Sequence, residues 1–143
     1  MSDESKPGGV ETFTLPQIAE IAAIDYRTLH NWQKRGLIQA SDHTASGSGT
    51  TNRFTQTDAL HVLVLAELRR SGVEVRVLES VTGQVRQLAA DIDSDRQLLV
   101  ISQGSVFLSS DTDLGESVSA DRPSMVMNLG GPRRALDRLP AAA

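Results

Sequence analysis

Apolar positions along the first ninety residues recur at helical spacing and are broken by polar turns. In "LPQIAEIAA", Ile18, Ile21 and Ala22 fall on one face. Thr14 stands ahead of this run as an N-cap, with Pro16 in the first turn, where a missing N–H is harmless, and Gln17 placed to close a capping box. Asp25 reads as a second N-cap, and "YRTLHNWQKR" runs on to Gly36, which can take the left-handed conformation that ends a helix. Leu29 and Trp32 face inward, whereas Arg27, His30, Asn31 and Lys34 follow the i, i+3, i+4, i+7 spacing of one outward stripe. Two short helices joined by about three residues form a helix-turn-helix outline.

The stretch "ASDHTASGSGTTN" is too polar for a core and reads as a loop or hairpin between the β-tolerant pieces Leu37–Gln39 and Arg53–Thr55. "TQTD" then opens a third helix carrying Leu60, Leu63, Val64 and Leu68, which stops at "RRSG". From Val75 onward, Leu78, Val81, Val85, Leu88 and Ile92 are spaced 3, 4, 3, 4, a heptad seam. It lasts about two heptads and contains Gly83, too little for a free coiled coil. The expectation is a buttressed dimerisation surface; the alternative is that the seam packs on its own domain, as amphipathic helices commonly do. Beyond it, "QLLVIS" and "SVFLSS" flank Gln103-Gly104 as a hairpin, "SMVMNL" offers a third strand, and "PRRALDRL" a terminal helical turn. This tail is too slight for an independent core and should pack on the long helix or on a partner.

The expected organisation is therefore a leader over 1–11, a helix-turn-helix domain over 12–73, a dimerisation helix over 74–93 and a β-rich appendage over 97–139. The fold class is mainly α. The 143 residues include no cysteine, which removes disulfides, thiolate metal sites and cysteine nucleophiles. The longest apolar run, Val62 to Ala66, is far below the roughly 20 residues of a membrane helix, and "MSDESKPGGV" lacks the pattern of a signal peptide, so a cytoplasmic protein is expected.

Net charge is −4, which argues against indiscriminate polyanion binding. Its distribution qualifies that: residues 11–76 hold seven basic and seven acidic side chains, and residues 77–143 six basic and nine acidic. Within residues 25–53, Arg27, Lys34, Arg35 and Arg53 oppose only Asp25 and Asp42, so the one locally positive window contains the outward stripe. The plain reading of that stripe is a solvated helix face. Asn31 is suited to adenine, Arg27 to guanine or phosphate, and His30 to either. Lys34 and Arg35 also serve as helix-end charges.

"LPQIAEIAAIDYRTLHNWQKRGLI", then "NRF", then "DALHVLVLAELRRSGVEVRVL" resembles the N-terminal winged helix-turn-helix of the MerR family of transcription regulators. The likeness covers roughly residues 13–80. It rests on Arg27-Thr28-Leu29 and Trp32 in the recognition helix, Gly36-Leu37 at its exit, Arg53-Phe54 at the wing end, and Arg69, Arg70 and Gly72 closing the next helix. The resemblance implies a sequence-specific regulator that binds double-stranded DNA as a homodimer and, in an activator, serves RNA polymerase at promoters. DNA contacts are then expected from Arg27, Thr28, His30, Asn31, Lys34 and Arg35 and, at the wing end, from Thr51, Asn52 and Arg53. Arg53 pairing with a nearby acid is the plainer alternative.

No cofactor or metal is expected. Soft-metal sensing in the family uses cysteines, His43 and His61 lack a second ligand at helical spacing, and Ser109 to Glu116 lacks an EF-hand's glycine and distal glutamate. No phosphate-cradling loop or nucleophile elbow occurs, so an enzyme is not expected. The rival readings are an excisionase-like DNA-bending accessory protein and a protein–protein adaptor that reuses the winged fold.

Overall fold

The computed structural model describes residues 11–41, 53–94, 96–102, 104–110 and 124–140. Residues 1–10, residues 42–52 with His43, Thr51 and Asn52, and the acidic stretch over 111–116 lie outside the described residues.

Strand β1 (Thr12–Phe13) leads into helices α1 (Leu15–Ala22) and α2 (Tyr26–Lys34); strand β2 (Phe54–Thr55) then leads into α3 (Gln56–Arg70) and α4 (Val75–Ala89). Strands β3 (Gln97–Ser102), β4 (Ser105–Ser110) and β5 (Ser124–Asn128) and helix α5 (Gly130–Asp137) follow. β1 and β2 pair antiparallel, Phe13 opposite Phe54, and place both rings in the core. The second sheet has the order β4-β3-β5, antiparallel throughout, with Leu99 opposite Leu108 on one side and Met127 on the other.

Local chemistry sets most element ends. The capping box at α1 is complete: the Gln17 N–H donates to Thr14 Oγ1 (3.3 Å) and the Thr14 N–H to Gln17 Oε1 (2.9 Å). A second box opens α3, with the Asp58 N–H donating to Thr55 Oγ1 (3.1 Å) and the Thr55 N–H to Asp58 Oδ2 (3.0 Å). Asp25 occupies the N-cap position of α2, but its side chain makes no capping bond. All of the first three helices end in Schellman motifs. At α2, Gly36 (φ 81°) donates to the Gln33 carbonyl and Leu37 to that of Trp32. At α1 the left-handed residue is Ala23 (φ 57°), with Ile24 donating to the Ala19 carbonyl at 3.1 Å.

α3 is the axle of the molecule. Every residue from Asp58 to Leu68 except Glu67 is buried, because α1 and β2 cover it on some sides, α4 and α5 on others. An amphipathic face over Leu60, Leu63, Val64 and Leu68 therefore understates its burial. Among the described residues no helix is long and apolar enough to cross a membrane.

The heptad seam packs within its own chain, the alternative that the sequence leaves open. Leu78 (0% exposed), Val81 (1%), Val85 (0%) and Ile92 (5%) are buried in the chain's own core, and Leu88 packs against that core half-buried. α4 lies along α3 and carries β4 beside it, so the seam already has its partners. Ile92 also falls beyond the end of α4. Leu78, Val81, Val85 and Ile92 are therefore covered within the single chain, and Leu88 alone of the five keeps part of its surface open. Gln84 fastens the tail hairpin to α4, its Nε2 donating to the Gly104 carbonyl (2.8 Å) and its Oε1 accepting from the Val106 N–H (3.0 Å). α5 packs on α3, and one buried cluster runs from Phe13 to Leu139.

Candidate nucleic-acid interface

α2 presents two unlike faces. Leu29 (0% exposed) and Trp32 (3%) sink into the core, which fixes the helix axis. Arg27, His30, Asn31 and Lys34 are exposed along the opposite side. The side chains of Arg27, Asn31 and Lys34 make no hydrogen bond or ion pair among the described residues. Thr28 is half-buried at the margin of that face. Tyr26 belongs to it as well: its ring stacks on His30 with centroids 5.8 Å apart and planes inclined by 18°. The signal for Tyr26 was present in the sequence as an aromatic four residues before His30, a helical neighbour spacing.

Arg35 differs from its neighbours. Its guanidinium binds Glu79 of α4 in an ion pair, which tethers the end of α2 to the scaffold. Arg53 is half-buried immediately before β2. The structure thus gathers Arg27, His30, Asn31 and Lys34 on one surface and draws Arg35 toward α4.

The turn between α1 and α2 is held from behind. Arg70, near the end of α3, donates from both terminal nitrogens to the Ala22 carbonyl, at 3.1 and 2.9 Å, and pairs with Glu67 at 3.6 Å. This grips the last residue of α1, immediately before left-handed Ala23. A charge-assisted, two-pronged bond of this kind constrains orientation as well as adding energy. The far end of α2 is held similarly: Thr82 Oγ1 donates to the Leu37 carbonyl (2.7 Å), which leaves that hydroxyl oxygen to accept from His61 Nε2–H (2.9 Å). Burial, helped by the nearby Arg86 charge, lowers the His61 pKa from 6.5 to about 4. Asp58 completes the network, accepting from the Ser41 N–H and Oγ–H at 2.7 Å each and facing Arg86 at 3.6 Å. In the sequence His61 stands as an isolated histidine; the groups it serves lie 21 and more residues away.

Residues 13–82 match the family model for MerR helix-turn-helix regulatory proteins. Over 85 residues the chain is 27% identical to uncharacterized HTH-type transcriptional regulators of Mycobacterium bovis and of two strains of Mycobacterium tuberculosis. The aligned region covers 59% of this chain and 38% of each relative, so the chain spans well under half the length of the curated relatives it matches.

Proposed function

We propose, from the premise that residues 13–82 are a MerR-family helix-turn-helix segment, that this protein is a sequence-specific regulator that inserts α2 into the major groove of duplex DNA. The observation that carries this reading is the exposed, unpaired stripe of Arg27, Asn31 and Lys34 on a helix anchored at both ends, by Arg70 through Ala22 and by Glu79 and Thr82 beyond Lys34. A side chain that reads a base edge must be free of partners and fixed in position, and this face meets both conditions. Asn31 has the fork for adenine and Arg27 that for guanine. Lys34 is placed for phosphate, and His30, braced by Tyr26, presents its ring beside them. Arg53, at the entrance to β2, is the wing-end residue this reading assigns to the phosphate backbone, together with Thr51 and Asn52, which lie outside the described residues.

Two copies bind one palindromic site in this reading. With the Leu78 seam buried, they join through β5, an edge among the described strands, whose Met125 and Val126 are 39% and 40% exposed. Selection of bound duplexes from random DNA, followed by retention assays, tests the reading. The double variant Arg27→Ala, Asn31→Ala should lose at least about 30-fold in affinity for the selected site, about 1–3 kcal/mol per lost base contact, with an unchanged circular dichroism spectrum. Unchanged retention would remove α2 as the reading element. Salt-independent retention, or none at all, would favour a protein-binding role for the fold.

A further inference from the structure

Behind the α1–α2 turn the structure contains a cleft of about 320 Å³ that the DNA-binding reading does not use. Its floor is apolar, built by Ile21 of α1, Leu63 of α3 and Ala135 of α5. Its rim carries Arg70, Arg134 and Arg138, with Glu67 as the single acid. Arg134 on α5 and Arg138, the C-cap just past its end, stand about one helical turn apart along the stripe of Gly131 and Ala135, so the three arginines come from α3 and from the C-terminal end of α5.

We infer that this cleft is a binding site for a small organic anion, a carboxylate or phosphate monoester attached to a flat apolar body. Three observations point there. The volume lies at the lower end of small-ligand sites. Arg70, Arg134 and Arg138 border the cleft beside Ile21, Leu63 and Ala135, and its single acid, Glu67, pairs with Arg70; basic groups next to apolar side chains suit an amphipathic anion better than a bare ion or a neutral molecule. Arg138 is exposed with no side-chain partner among the described residues, and Arg70 keeps donors beyond its bonds to Ala22 and its pairing with Glu67, since a guanidinium offers five. Through Arg70 the bound anion would touch the residue that holds the Ala22 carbonyl. The site itself does not depend on DNA binding.

The experiment uses the full chain without DNA, titrated calorimetrically with benzoate, phenyl phosphate and inorganic phosphate. The expected result is saturable one-to-one binding of at least one aromatic anion, with inorganic phosphate at least about tenfold weaker because it leaves the floor uncovered. Two variants locate the site. Arg138→Glu removes an exposed rim charge and should weaken binding by more than about tenfold. Gly131→Phe should block it, because a side chain added there meets nothing within 4 Å and projects into open space at the rim. Absence of saturation by about 10 mM with both aromatic anions would overturn the inference. So would binding that survives both variants, or equal affinity for inorganic phosphate. Each of these outcomes leaves the Arg27 and Asn31 retention assay untouched, so the two proposals fail separately.

Discussion

Truncating Leu78 to Ala separates a core helix from an intersubunit one. The side chain is 0% exposed within a single chain, packed where α4 meets α3. Removing three carbon groups at about 0.8 kcal/mol each gives about 2.4 kcal/mol of lost transfer energy. A cavity that only partly relaxes raises this toward 3–4 kcal/mol, inside the roughly 2–5 kcal/mol range of such truncations. Against a typical total of about 5–15 kcal/mol that is a large fraction of the stability. Urea unfolding followed by circular dichroism at about 1 and 100 μM protein gives the decisive comparison. If the contact is internal, the Leu78→Ala penalty is the same at both concentrations. If it lies between subunits, the apparent stability of the parent shifts by roughly 1.4 kcal/mol per tenfold dilution, and the variant loses that dependence. The neighbouring Val77, 38% exposed, is the control, and Val77→Ala should stay within about 0.5 kcal/mol. A Leu78→Ala penalty below about 1 kcal/mol, or one that changes with concentration, would refute the assignment of the seam to the core.

His61 predicts a pH dependence of definite sign. Its folded pKa of about 4 lies below the unfolded value near 6.5, so between those values the unfolded chain binds a proton that the folded one does not. Stability is therefore complete above about pH 6.5, falls as pH drops toward 4 by on the order of 3 kcal/mol, and levels off below; His61→Gln should remove that step from urea midpoints measured across the range. Ala23→Gly should raise the melting temperature by roughly 3 °C, because relief of the left-handed strain at φ 57° exceeds the entropy glycine adds to the unfolded chain; a lowered Tm would count against the Schellman ending. Asp58→Ala breaks the α3 capping box, two bonds to Ser41 and the ion pair that balances Arg86, and should lower the unfolding free energy by about 3 kcal/mol. A loss under about 1 kcal/mol would mean water replaces those partners.

What the sequence makes legible is the chemistry that acts over three or four residues. The Thr14–Gln17 and Thr55–Asp58 boxes and the Gly36 stop each need only near neighbours, and all three form as expected. The inward Leu29 and Trp32 and the outward Arg27, His30, Asn31 and Lys34 follow likewise from one helical period. The strands over 97–102, 105–110 and 124–128 are announced by apolar runs between turn residues. Periodicity, however, says that a face is buried and not what buries it. The spacing of Leu78, Val81 and Val85 is the same whether the neighbour is a second copy or α3. The Arg35–Glu79 pair and the Arg70 grip on Ala22 join residues 44 and 48 positions apart, a separation at which local pattern carries no information. The burial of α3 on nearly every side depends on α5, more than sixty positions downstream, and a helix read alone cannot anticipate a lid from so far along the chain.

That distant lid bears on how the molecule comes into being. A nascent polypeptide paused after residue 93 would already have made α1 to α4, yet the flank of α3 that receives Leu136 and Leu139 would stand wet. Helix α2 hangs on that same axle. Synthesis must therefore run to the far end of the tail before the front half acquires its finished interior, and an incomplete translation product would be greasy prey for chaperones and proteases.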